Sequence, residues 1–166
     1  MGRTPLSLKM RAIALLSQRE HSPLELRRKL LRIRRDAQEA EDDEDRSAIE
    51  VDQLIEWLRA QGYLSETRFV ESRVHARAQR YGSLRIKLEL AQHGLTLSAD
   101  AQAELKSTEL ARARSLWQRK FGANGTGDPD AVAGNPALRA RQMRFLSGRG
   151  FSPEVIRQVL RGRVED

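Results

Sequence analysis

A chain of 166 residues with 30 Lys and Arg against 23 Asp and Glu has a formal net charge of +7, and its length suffices for one ordinary domain or a few small modules that share a core. It has no cysteine, which excludes disulfides and thiolate metal sites and suits a reducing cytosol. No apolar run approaches the ~18 residues of a membrane span, so the expectation is a soluble, cytoplasmic protein whose surface attracts polyanions or acidic protein faces, less so in high salt.

In chain order, MGRTPLSLKMRAIALLSQRE is interrupted by Arg and Lys before a signal-like apolar run develops. Ser22-Pro23-Leu24-Glu25 then predicts a helix start: the serine hydroxyl can accept an orphan first-turn amide, proline costs nothing at N1, and Glu25 can reach back. Val51, Leu54, Ile55 and Leu58 fall at helical spacing, as do Val70, Val74 and Tyr81, and later Val155, Ile156, Val159 and Leu160. Gly62-Tyr63-Leu64-Ser65, Gly94-Leu95-Thr96-Leu97-Ser98 and Gly150-Phe151-Ser152 read as helix-to-helix corners, glycine stopping one helix and serine capping the next. Asn135-Pro136 and Ser152-Pro153 repeat the polar cap followed by proline.

Residues 83–90, SLRIKLEL, alternate as a half-buried strand would. Their only nearby pairing partner is Leu95-Thr96-Leu97, too short for a sheet that stands alone, and all but Ile86 lack β-branching. The segment is therefore expected to be a helix, with Leu84, Leu88, Ala91 and Leu95 in one row and Ile86 and Leu90 in another, so that two faces would be buried.

The corners divide the chain into three units of three helices, at about 5–62, 63–106 and 107–162. Their middle helices share a texture in PLELRRKLL, SLRIKLELA and ALRARQMRFL. The fold class expected is all-α: three tandem three-helix repeats of right-handed helices in an elongated, curved, solenoid-like array. Loops are expected at 36–46, which holds the acidic run Glu39 to Asp45, and at 122–135, rich in Gly, Asn and Asp. The acidic run lacks the D-x-D-x-D-G pattern of a calcium loop; it reads as a solvated insertion, or as a decoy that screens the neighbouring basic run.

Nothing here spells an active site. His21, His75 and His93 are scattered, the glycines of 122–134 follow no strand, and the serines at 22, 65, 98 and 152 are accounted for by capping. Neither catalytic residues nor a cofactor or metal is expected. Trp57, Phe69, Trp117, Phe121 and Phe145, with Tyr63 and Phe151 after their glycines, read as core, and Tyr81 as the exposed aromatic.

The remaining constellation is basic. Arg28, Arg32 and Arg35 share one helical face, Arg85 and Lys87 flank the apolar rows of the second unit, and Arg141 and Arg144 repeat the theme in the third. Each alone is an ordinary solvated residue; together Arg28, Arg32, Arg85, Lys87, Arg141 and Arg144 would make a basic strip for DNA or an acidic protein groove.

Three stretches, SQREHSPLELRRKLLR, GYLSETRFVESRVHARAQRYGSLRIKLELAQHGL and RARQMRFLSGRGFSPEVIRQVLRG, resemble in order and content the RecX family, bacterial regulators of the RecA recombinase. The resemblance covers nearly the whole chain. It departs from the family at Gly82-Ser83-Leu84, where Gly-Pro or Gly-Lys is usual, and in the stretches 36–46 and 122–135. It implies three tandem three-helix repeats and a non-enzymatic regulator that lodges on the RecA filament. Such a protein would inhibit filament extension, ATPase, strand exchange and co-protease signalling, and so restrain recombinational repair and the SOS response. The partners implied are the RecA filament and DNA, single-stranded first and double-stranded second, touched by a monomer. The other reading left open is a helical DNA- or RNA-binding module that works without RecA.

Overall fold

The computed structural model describes residues 6–37, 44–122 and 134–161. Among them are nine α-helices and no strand: α1 (Leu8–Gln18), α2 (Pro23–Asp36), α3 (Glu44–Ala60), α4 (Glu66–Ala78), α5 (Ser83–Gln92), α6 (Ala99–Ser107), α7 (Glu109–Phe121), α8 (Pro136–Gly148) and α9 (Pro153–Leu160). The chain is all-α.

The helices start where the polar caps stand. Ser22, Ser98 and Ser152 accept the amides of Glu25, Ala101 and Val155 through their hydroxyls, Ser65 accepts that of Arg68, and Asn135 Oδ1 accepts that of Leu138. Each bond satisfies a first-turn donor that has no partner inside its own helix. Glu25 does not close the expected capping box; its carboxylate is taken by the Arg19 guanidinium in a two-pronged ion pair. The three corner glycines, Gly62, Gly94 and Gly150, all have φ between 70° and 80°.

Two boundaries differ from expectation. Helix α2 runs to Asp36 and α3 begins at Glu44, so both ends of the 36–46 segment are helical; acidic residues suit the positive end of the helix macrodipole at the α3 start. The rest of the acidic run, and residues 123–133 of the second expected loop, lie outside the described residues.

The chain divides into two compact units, the first comprising Met1–Ser72 and His93–Leu95, the second Arg73–Gln92 and Thr96–Asp166. In the first, Ala12, Leu26, Leu30, Val51, Ile55, Leu58 and Leu64 are buried together, each large aliphatic among them contributing roughly 1.5–3 kcal/mol. In the second, Ala113, Leu116, Leu146, Phe151, Ile156, Val159 and Leu160 form the core of α7, α8 and α9. Trp117 donates its indole N–H to the buried Gln142 at 3.0 Å, and the Phe121 and Phe145 rings meet edge to face.

Helix α5 buries one apolar face, not two. Ile86 and Leu90 are fully buried, whereas Leu84 and Leu88 are 52% and 62% exposed. Its first turn is docked instead through the backbone: Gly82 N–H donates to Arg149 O at 2.8 Å, Leu84 N–H to Gly150 O at 3.1 Å, and Ser83 N–H to the buried carboxylate of Glu109 at 2.9 Å. The approach is so close that a Cβ on Gly82 would collide with the Gly150 carbonyl and the Phe151 amide. One turn along α7, Arg112 donates to Ala78 O, Tyr81 O and Leu105 O at 2.8–2.9 Å, satisfying carbonyls at the ends of α4 and α6.

Candidate interaction surface

Helix α2 sorts its basic residues by direction. Leu26 and Leu30 face the core; the helical period puts Arg28, Arg32 and Arg35 on the opposite side, and all three are exposed. On the flank toward α3, Arg27 grips Asp52 with two nitrogens at 2.6 and 3.1 Å, and Arg34 pairs with Glu50. The guanidinium bonded to each holds the Asp52 and Glu50 carboxyls below their usual range. Lys29 lies 3.8 Å from Glu25. The pairings consume the flanking cations, while Arg28, Arg32 and Arg35 have no carboxylate partner among the described residues.

The α2 start is anchored by two histidines. His21 is buried and donates Nδ1–H to Arg19 O at 2.9 Å, while the Lys29 ammonium stands 3.1 Å from Nε2 and donates there. That geometry needs a neutral ring. Burial, with the charges of Arg19 and Lys29, holds the imidazole pKa below its ordinary value, against the opposing Arg19 carbonyl and Glu25. The buried Ser22 hydroxyl hydrogen-bonds His93 Nδ1 at 2.8 Å, and the His93 ring packs against Phe69. These are structural histidines with specific partners. Tyr63, expected in the core, is 45% exposed and stacks on Trp57, whose ring is also covered by the Lys9 ammonium 3.4 Å from the centroid.

In the second unit, Arg141 and Arg144 lie exposed on α8, opposite the side that buries Gln142 and Leu146. Lys87 is half-buried. Arg85 is engaged within the unit: it lies 3.6 Å from Glu89, donates to Gly148 O at 3.3 Å, and sets its guanidinium 4.6 Å from the Tyr81 ring centroid. Two further guanidinium groups, of Arg77 and Arg149, stand 5.4 and 5.5 Å from the same ring, within the range of cation–π attraction.

Arg77 and Arg149 were not among the expected site residues, nor were Glu109 and Arg112 among the positioning ones. For Arg77 a signal existed, since Arg77, Tyr81 and Arg85 follow each other at intervals of four, but the Gly82 corner interrupts the helix that would justify reading them together. Arg149 reaches the ring only through the Gly82–Gly150 contact, which no local pattern announces.

Small helical bundles with arginines on their outer faces define an all-helical protein built of three-helix domains; among the described residues no group of three or more His, Cys, Asp or Glu is placed to hold a metal. Residues 65–99 match the second three-helix domain of RecX and residues 107–160 the third. The regulatory protein RecX of Ralstonia pickettii (strain 12J) is 45% identical over 167 residues, covering 99% of this chain and 93% of its own. That of Leptothrix cholodnii (strain ATCC 51168 / LMG 8142 / SP-6) is 46% identical over 162 residues, covering 96% and 91%. The chain belongs to the RecX family, and its role is a regulatory one. No helix among the described residues is long and apolar enough to cross a membrane.

Proposed function

We propose that this chain restrains the RecA recombinase in the cytoplasm by binding, as a monomer, the filament that RecA forms on single-stranded DNA. Bound there it inhibits extension, ATP hydrolysis, strand exchange and co-protease activity, and so tempers recombinational repair and the SOS response. The observation that carries this reading is the set of exposed arginines left over after internal pairing, Arg28, Arg32 and Arg35 on α2 and Arg141 and Arg144 on α8. Arg85 and Lys87 on α5 complete the basic strip of this reading.

Three tandem repeats, 5–62, 63–106 and 107–162, would each supply a modest contact, and tethering makes such contacts reinforce one another. Guanidinium groups suit both acidic protein faces and phosphates, and the affinity would fall as salt rises. Inhibition follows if the bound protein fits a filament state that cannot extend or turn over ATP productively.

The test is the single-stranded-DNA-dependent ATPase and strand exchange of a bacterial RecA with this protein added substoichiometrically. Inhibition well below one protein per DNA site supports filament binding. Inhibition only at DNA saturation supports instead a DNA- or RNA-binding module that acts independently of RecA.

A further inference from the structure

We infer that the Tyr81 cluster is a contact site for the backbone and one base of single-stranded nucleic acid. Three guanidinium groups from different parts of the fold, Arg77 on α4, Arg85 on α5 and Arg149 at the α8–α9 corner, converge on one aromatic ring. They share a single carboxylate: Glu89 lies 3.0 Å from Arg77 and 3.6 Å from Arg85, and Arg149 has no carboxylate partner among the described residues. Even the nearer contact is misaligned, leaving the buried Arg77 Nε without a hydrogen bond. Exposed Arg80 adds a fourth cation next to the ring in sequence.

Like charges crowded in this way repel, and one carboxylate does not offset three guanidiniums; an anion with several acceptor oxygens does. A phosphodiester fits that need. The ring and the flat guanidiniums held against it also present stacking surfaces for a base, the combination by which proteins hold single strands without reading sequence. An acidic peptide would answer the charge but leave the stacking surfaces unused.

This inference rests on the reading that the chain works on a nucleoprotein, and its test omits RecA so that the two can fail separately. The full-length protein is titrated against a fluorescent 20-nucleotide oligo-dT across a salt series, with Arg114→Ala/Lys120→Ala, two exposed cations of α7, as the charge-matched control. Arg85→Ala/Arg149→Ala should lower affinity about tenfold or more and flatten the log–log salt slope by about 1.4, or about 0.7 per phosphate contact. Tyr81→Leu should weaken binding about tenfold with the slope unchanged. Arg149→Lys, which keeps charge and fold, should keep the slope but lose part of the affinity. Binding by Arg85→Ala/Arg149→Ala equal to that of the charge-matched control overturns the site, as does competition by poly-glutamate as effective as unlabelled oligo-dT. Loss of oligo-dT binding by the double variant, beyond that of the charge-matched control, confirms the site whatever a separate assay of RecA inhibition shows.

Discussion

Glu109 accepts the backbone N–H of Ser83 across 26 residues of sequence, so the first residue of α7 caps the first turn of α5. A carboxylate at a helix start is favoured by the macrodipole, and here it is buried, so no water replaces it. Glu109→Ala should cost about 1.5–3 kcal/mol, the range for a hydrogen bond to a charged group. Glu109→Gln, which keeps an acceptor, should cost less. Urea unfolding with unchanged m-values checks both.

The glycine pair at the same junction predicts a ranking. Gly82→Ala forces a Cβ into backbone atoms of Gly150 and Phe151, which cannot swing aside as a side chain can, and should cost about 3 kcal/mol or more. Gly150→Ala meets Arg85 and also holds φ at +80°, so it should be at least as severe. Gly94→Ala has open space around it and bears only the left-handed penalty, about 1–2 kcal/mol. Thermal melts that place Gly94→Ala among the worst would contradict this account.

His21 sets a pH dependence. Its folded pKa is below the ordinary imidazole value of 6.5, so the unfolded chain binds the proton more readily. The corresponding stability is full above 6.5 and is lost as pH falls from there through the folded pKa. Melting temperature should drop between pH 7.5 and 5.5, and His21→Asn, whose amide can still donate to Arg19 O, should flatten that part of the profile.

Among the serine caps, Ser22 is buried and bonds His93 as well as Glu25 N–H, whereas Ser98 is exposed and bonds Ala101 N–H. Ser22→Ala should therefore cost about 2 kcal/mol and Ser98→Ala about 1. A double-mutant cycle of Ser22 with His93 should give a coupling energy; additivity would deny the contact.

Charge reversal on α2 separates binding from folding. Arg28→Glu/Arg32→Glu should weaken RecA inhibition severalfold while leaving the melting temperature within about 2 °C, because neither residue has a carboxylate partner among the described residues. Arg27→Glu/Arg34→Glu should lower the melting temperature, since it faces Asp52 and Glu50 with like charge. A binding defect confined to the second pair would remove α2's outer face from the interaction.

Local chemistry made much of the fold readable. Caps at Ser22, Ser98, Asn135 and Ser152, and corner glycines at 62, 94 and 150, are decided by a few adjacent residues, so their positions can be found without tertiary knowledge. The helical state of SLRIKLEL was readable for the same reason. Its burial was not: which of two apolar rows faces inward depends on what packs there, and Leu84 and Leu88 turned out to be exposed. The α2 arginines illustrate the same divide. Periodicity put Arg28, Arg32 and Arg35 on one face, but only the position of Asp52 and Glu50 on α3 tells which cations are already spent. Charge alone marks Arg85 in the sequence; its engagement with Gly148 O depends on a contact made more than 60 residues away.

The α5 start has a further consequence, in time. Gly82 and Leu84 find their acceptors at Arg149 and Gly150, whereas Ser83 waits only for Glu109; on a growing chain the Gly82 and Leu84 amides therefore remain open to water until about 65 more residues have been made. At roughly 5–20 residues per second that wait lasts several seconds. The middle of this protein is finished by its end: a nascent chain stopped short of residue 150 would hold α5 without these two backbone anchors, and native protection of the Gly82 and Leu84 amides should switch on together, late, as the α8–α9 corner arrives.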